Sequence, residues 1–343
     1  MESDLKYITE ADLPWESFKN KTVLISGASG FLPSYMVETL LYLNETRQYG
    51  IRILGLVRNF EKAKERFSHH KENKNLILIA QDVCDKIKID ENIDYIIHAA
   101  SQATPRVFLN DPVGTIIPNV IGTNNLLNLA AEKKVEGFLF FSTTGVYGFM
   151  DEESYPAKEN CFGYLDPMDL ASCYIESKRM GENMCVAWMR QYGVPVKIIR
   201  PAITYGPGVK LDDGRSFADF ISNIINHQDI EILSDGKALR SFCYLADATL
   251  GFFTIMLKGK VGEAYNVAAD REISIIDLAK LLAEKVFPER KLNVILKKNA
   301  SKNYLRMNFA RTAMDVTKAK ELGWKINFSL EEGFKRTVRS FEE

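Results

Sequence analysis

The sequence predicts a doubly wound α/β fold, a parallel sheet with helices on both faces, followed by a smaller mixed α/β C-terminal region. Three observations predict it. Short, β-branched apolar runs alternate with longer helical stretches from Thr22 to Arg200. A glycine pair, Gly27 and Gly30, follows the first apolar run directly. The alternation stops at Gly206, where turn residues take over.

Thr22 to Ser26 reads as a buried strand and Ser34 to Asn44 as a helix. Ile51 to Val57 is the next strand, and Phe60 to Phe67 a charged helix. Leu76 to Ile79, Tyr95 to Ala99 and Gly137 to Ser142 continue the strands. Asn119 to Lys133 and Tyr174 to Tyr192 are long helices, and Val196 to Arg200 is a further strand. Strands separated by helices of this length must run parallel, because each helix carries the chain back to the same edge. The stretch Gly206 to Gly214 is turn chemistry, followed by helices over Phe217 to Asn226, Ser274 to Lys285 and Ser329 to Ser340.

Size and composition narrow the function classes. The 343 residues exceed one average domain but are too few for three. Lys and Arg total 44 against 45 Asp and Glu, so electrostatics offers no reason to expect nucleic-acid or anionic-membrane binding. The five cysteines form no C-x-x-C pair and there are four histidines, so no metal site is expected. Met1 to Asn20 is acidic, broken by Pro14, and lacks the layout of a signal peptide. The apolar runs are far shorter than the roughly 20 residues of a membrane span. A cytoplasmic protein with free thiols is the expectation.

Gly27-Ala-Ser-Gly30-Phe-Leu-Pro33 stands where a strand turns into a helix. Glycines there permit a sharp turn and close backbone approach to a pyrophosphate, which the free N–H groups of a helix N-terminus then bind. A plain turn uses glycine too. The position at the first strand–helix junction is the one a Rossmann dinucleotide loop requires. Pro33 replaces a third glycine and is tolerated in a first helical turn. An acid at the end of the second strand would hold the adenine ribose. Val57 stands there instead, and Arg58 either faces a 2′-phosphate, favouring NADP over NAD, or is a solvated surface residue. Asp82 and Val83 are placed to hold the adenine.

Tyr174-Ile-Glu-Ser-Lys178 is the one Tyr-x-x-x-Lys among 14 tyrosines. Residues four apart share a helix face, so an ammonium lies beside a phenol. A free tyrosine has a pKa of about 10, and a general base near neutral pH needs it lower, which nearby positive charge provides. Standing alone, such a pair is equally an exposed helix face. Ahead of it, the strand Phe140-Phe141-Ser142-Thr143 brings hydroxyls to the end where open α/β sheets bind ligands. Those hydroxyls would hold a substrate oxygen, or cap a turn.

Taken together these landmarks resemble the extended short-chain dehydrogenase/reductase family, in its group of NDP-sugar epimerases, dehydratases and decarboxylases. The resemblance runs through Gly27-x-x-Gly30, Asp82-Val83, His98 to Ala100 and Asp111-Pro112 with Asn119-x-x-Gly122-Thr123. It continues through Ser142 to Gly148, Tyr174-x-x-x-Lys178, Arg200-Pro201 to Pro207, Arg240 to Tyr244, Asp247 and Leu322 to Trp324. It implies Thr143, Tyr174 and Lys178 as the catalytic set, with Lys178 also on the nicotinamide ribose. Gly27, Ser29, Gly30, Phe31, Leu32, Arg58, Asp82, Val83, Ala99, Ala100 and Pro201 join Tyr174 and Lys178 around the NAD(P). Thr144, Arg215 and Arg240 fall to the substrate, with Arg240 on its diphosphate. The segment Asp213 to Phe217 resembles the nucleotide-binding loop of the UDP-glucuronate decarboxylase branch. Residues 1–205 with about 241–268 become the dinucleotide-binding domain, and 206–240 with 269–343 the nucleotide-sugar domain. A homodimer and a place in polysaccharide precursor synthesis are also implied.

The family begins by oxidising the sugar at C4 to a ketone. Its dehydratases carry an Asp-Glu pair after the catalytic threonine, and its decarboxylases a Glu two positions after it. Thr144 and Gly145 occupy those positions here. Hydride return therefore remains, either to the opposite face of the 4-keto sugar or as net reduction, and 4-epimerisation is the expected reaction. The alternatives are a decarboxylase or 4,6-dehydratase whose acid comes from Asp151 to Glu153, or a nonenzymatic dinucleotide sensor. Relatives also place an asparagine where this chain has Ile203.

Overall fold

The computed structural model describes residues 1–212, 214–297 and 311–342. Its first element is absent from the sequence reading: helix α1 (Glu2–Glu10), with Glu2 and Asp4 in its first turn complementing the helix dipole. Leu5 and Ile8 lie three residues apart and are both buried. The elements that follow are β1 (Thr22–Ser26), α2 (Phe31–Arg47), β2 (Arg52–Val57), α3 (Phe60–Arg66), β3 (Leu76–Ala80) and β4 (Tyr95–His98). Next come α4 (Pro105–Asn110), α5 (Pro112–Ile117), α6 (Thr123–Lys133), β5 (Gly137–Phe141), α7 (Cys173–Tyr192) and β6 (Val196–Pro201). The later part holds β7 (Ile203–Tyr205), α8 (Ser216–Ile225), β8 (Ile230–Ile232), β9 (Leu239–Tyr244), α9 (Leu245–Lys258) and β10 (Ala264–Val267). It ends with β11 (Glu272–Ser274), α10 (Ile275–Lys280), β12 (Val294–Leu296), α11 (Thr317–Glu321) and α12 (Leu330–Arg339).

Local chemistry explains the boundaries. The helix expected from Ser34 begins three residues earlier, because Pro33 in its first turn has no intrahelical partner to lose. The Asn59 side chain accepts the Lys62 N–H to start α3, and Ser329 accepts the Glu332 N–H to start α12. Gly193, at φ 71°, ends α7 in the left-handed conformation that glycine adopts without penalty.

Seven parallel strands form one sheet in the order β10-β6-β5-β4-β1-β2-β3. Alternate residues feed two cores. Val23, Ile25, Ile97, Leu139 and Phe141 face one. Leu24, Ile96, Phe138 and Phe140 face the other. This two-sided burial is why the strands read as nearly continuous apolar runs. The strand order reverses between β1 and β4, the place where sheets of this type open a crevice.

Smaller sheets follow, β11-β9-β7 and β12-β8. Of residues 241–268, β10 pairs with β6 at the edge of the large sheet, whereas β9 pairs with β7 and β11. The N-terminal helix is held by distant partners: Asp4 accepts from the Tyr35 hydroxyl at 2.9 Å, the Tyr244 hydroxyl at 2.7 Å and Arg336 Nη1 at 2.7 Å. Among the described residues no helix is long and apolar enough to cross a membrane.

Candidate active site

The loops after β1 and β4 meet at the switch point. Gly27 has φ 66°, and a Cβ there would lie 2.9 Å from Ala100 Cα, so both its conformation and its space call for glycine. A buried hydrogen-bond chain ties the two loops together. Ala99 N and Ala100 N each donate to Ser26 Oγ at 3.1 Å, and Ser26 Oγ lies 2.8 Å from His98 Nδ1. His98 Nε2 lies 2.9 Å from Thr123 Oγ1, which donates to the Asn119 carbonyl at 2.6 Å. Since the Thr123 proton is spent on that carbonyl, His98 must donate from Nε2 and accept at Nδ1. Burial, aided by the charge of Lys178, draws the His98 pKa down to about 3 and keeps the ring neutral.

The glycine loop leads into α2, whose Gly30 cap makes no side-chain hydrogen bond and leaves the first N–H groups open. Val57 is buried at the end of β2 and Arg58 is exposed beyond it. Asp82 Oδ1 accepts the Cys84 N–H at 2.9 Å. Although burial works against it, that bond and the Arg58 charge hold the Asp82 carboxyl below the usual carboxylate range.

At the reactive end, Tyr174 and Thr143 line the cavity together, and the Thr143 side chain acts on the phenol. Its ring stacks on Phe108, with centroids 5.4 Å apart and planes 4° from parallel. Thr143 Oγ1 accepts the Gly145 N–H at 3.1 Å. Lys178 Nζ is buried, donates to the Phe141 carbonyl at 2.7 Å and lies 5.1 Å from the Phe140 ring centre. Burial draws the Lys178 pKa down to about 7.

One expectation changes here. Burial pushes the Tyr174 phenol up to about 12, and what opposes burial is the Thr143 hydrogen bond and the charge of Arg215. Lys178 shares the helix face but directs one of its N–H groups to the Phe141 carbonyl and is not among the charges acting on the phenol. Spacing placed it near the phenol; the strand end decided where it points.

The residues expected to serve cofactor, catalysis and substrate line one cavity of about 1500 Å³, Gly27 and Arg240 among them. Arg58 lines it despite its exposure, as do Thr144, Pro201 and Arg215. Asp213 lies outside the described residues. Arg215 caps α8, its guanidinium 5.0 Å from the Phe217 ring centre. Ser101 also lines the cavity, and its buried Oγ has no hydrogen-bond partner. An open helix N-terminus, a glycine that tolerates no side chain and an orphaned hydroxyl fit a dinucleotide. The sequence reading missed Ser101, Phe108 and the pair Glu182–Arg200. Glu182, four residues after Lys178 on the same helix face, carried the one available signal.

The profile of the NAD dependent epimerase/dehydratase family matches residues 23–268. UDP-glucuronic acid decarboxylase 2 of Arabidopsis thaliana is 33% identical over 327 residues, covering 95% of this chain and 69% of the relative. UDP-glucuronic acid decarboxylase 1 of Xenopus tropicalis is 30% identical over 341 residues, covering 99% and 75%. The crystal structure of a UDP-glucose 4-epimerase from Thermotoga maritima with UDP-glucose superposes with a TM-score of 0.79 at 26% identity, covering 94% of this chain and 98% of that one.

Proposed function

The chain belongs to the NAD-dependent epimerase/dehydratase family of nucleotide-sugar enzymes, and from that membership we propose that it is a nucleotide-sugar 4-epimerase. The observation that carries the choice of reaction is the surroundings of Tyr174. Its charged neighbour is Arg215, and Thr144 and Gly145 stand where relatives in the family carry an acid. Nor does the acidic turn supply one: Asp151, Glu152 and Glu153 are exposed and do not line the cavity, and Glu152 pairs with Arg311 at 3.5 Å.

Tyr174 takes the proton of the sugar 4-hydroxyl as phenolate, and the Thr143 hydroxyl holds the same oxygen. Arg215 and the positive charge of a bound nicotinamide would favour the phenolate against the burial that raises its pKa. A nicotinamide dinucleotide held by the Gly27–Gly30 loop and Lys178 would supply hydride-transfer chemistry at the sugar C4, with return to the opposite face accounting for epimerisation. Lys178 holds the nicotinamide ribose and adds positive charge to the site. Arg215 and Arg240 hold the anionic diphosphate and orient the sugar. Tyr174 then returns the proton to O4.

The names of the curated relatives favour a second reading, decarboxylation, and make a UDP-linked sugar acid the first substrate to try. Exposed Val113, Ile116, Ile117 and Ile121 on α5 and the turn after it, with Met180 on α7, support a homodimer. The test is to incubate purified protein with UDP-, GDP-, CDP- and dTDP-sugars, neutral and acidic, and to analyse products by mass and NMR. An isomer of unchanged mass is expected; release of carbon dioxide or water by the unaided enzyme would overturn the epimerase.

A further inference from the structure

We propose that Glu38, His69 and His70 form a binding site for a single divalent transition-metal ion of the zinc class. Glu38 lies on α2, and the two histidines on the short helical turn Ser68–His70 after α3. His69 Nε2 is 3.0 Å from Glu38 Oε1, and His70 Nε2 is 2.7 Å from Glu38 Oε2. A ligand atom from each of the three lies within 4.8 Å of the others. The imidazole centroids are 4.2 Å apart. Metal–nitrogen and metal–oxygen bonds of about 2.1 Å set the ligands of one tetrahedral ion about 3.4 Å apart, within the range observed here.

Two features separate this arrangement from an ordinary surface pair. Successive side chains on a tight turn normally diverge, yet His69 and His70 converge on one carboxylate. That carboxylate is only 7% exposed, so its charge is held where a counter-charge is worth most, whereas His69 at 50% leaves an open approach. Two imidazoles and one carboxylate, with a fourth position open to water, are also an established zinc ligand set. Arg66 is the positive neighbour. Its guanidinium donates to Ser34 Oγ at 2.7 Å, and its charge acts on Glu38. It competes with a cation for the carboxylate and tempers affinity without blocking the histidines. A bound ion would clamp α2, which begins at the dinucleotide loop, to the turn following α3. Glu38 and His69 line the same cavity as Thr143, Tyr174 and Lys178 but stand on different elements, and the site does not depend on which reaction those three perform.

The full-length protein, stripped with a chelator, is titrated with zinc and separately with cobalt(II). Saturable binding of one ion per chain is expected, with visible ligand-field absorption from the cobalt form. Zinc should raise the unfolding midpoint of the wild type. His69→Ala, at an exposed position that does not threaten folding, should weaken binding at least about tenfold and abolish the midpoint shift. His70→Ala should do the same with an unchanged circular dichroism spectrum. Absence of saturable binding to the wild type, or equal binding by the His69→Ala protein, overturns the site.

Discussion

Arg200 of β6 and Glu182 of α7 form a two-pronged ion pair, Nε to Oε1 at 2.9 Å and Nη2 to Oε2 at 2.7 Å. The pair extends at both ends. Glu182 Oε1 also accepts from Ser142 Oγ at 2.5 Å, and Arg200 Nη1 donates to the Tyr147 hydroxyl at 3.0 Å and the Glu159 carbonyl at 2.9 Å. Ser142 immediately precedes Thr143, and α7 carries Tyr174 and Lys178. The pair therefore locks the threonine-bearing strand end to the tyrosine-bearing helix.

Removing one partner leaves the other charge buried. Glu182→Gln should cost about 3–5 kcal/mol of stability, read from denaturant midpoints, whereas a double apolar replacement with Arg200→Met should recover much of it. The exposed pair Arg52–Glu91 is the control, worth at most about 1 kcal/mol. A Glu182→Gln cost no greater than the control's would show that the buried pair contributes little.

Gly27→Ala should weaken dinucleotide binding and cost about 1–3 kcal/mol of backbone strain, because the new Cβ meets Ala100 and the positive φ no longer suits the residue. Cofactor titration followed by nicotinamide fluorescence, alongside thermal unfolding, separates the two effects. Normal cofactor affinity in the variant would mean that the loop does not approach the pyrophosphate.

Tyr174→Phe should lower kcat by about 10²–10⁴-fold while leaving KM nearly unchanged. Because the Arg215 charge opposes the burial that raises the phenol, and Tyr174 acts in its deprotonated form, Arg215→Met should move the rising, acid-side limb of kcat/KM against pH towards higher pH. A shift towards lower pH, or none, would detach Arg215 from the phenol.

His98 titrates near 3 when folded and near about 6.5 when unfolded, so the unfolded chain binds more protons between those values. Its contribution to stability is present above about pH 6.5 and is lost as pH falls towards 3, up to about 5 kcal/mol in all. The difference in unfolding free energy between wild type and His98→Gln, measured from pH 7 to pH 4, isolates that contribution. A difference independent of pH would mean that His98 takes up its proton in the fold over the same pH range as in the unfolded chain.

Reading the chain in order located β1 to β6 and helices α2, α3, α6, α7, α8, α10 and α12, whereas β7 to β12 and helices α1, α4, α5, α9 and α11 were not placed. α1 escaped because its anchors, Tyr35, Tyr244 and Arg336, lie far along the chain from Asp4. The Glu38–His69–His70 convergence escaped because a count of four histidines says nothing of where two adjacent ones point. Thr143, Tyr174, Lys178 and the glycine loop were legible because strand ends and helical spacing are local properties.

By itself the sequence determined the doubly wound sheet, the position of the glycine loop at its first strand–helix junction and the presence of a phenol, an ammonium and a hydroxyl on neighbouring elements. Alternation and four-residue spacing act within a few residues of the chain. Only the tertiary structure decided that Lys178 bonds the Phe141 carbonyl, that Arg215 is the charge opposing burial at Tyr174, and that Glu182 and Arg200 join helix to strand. Proton affinity and ion pairing depend on desolvation and on charges brought together from distant segments, and those exist only once the chain has folded.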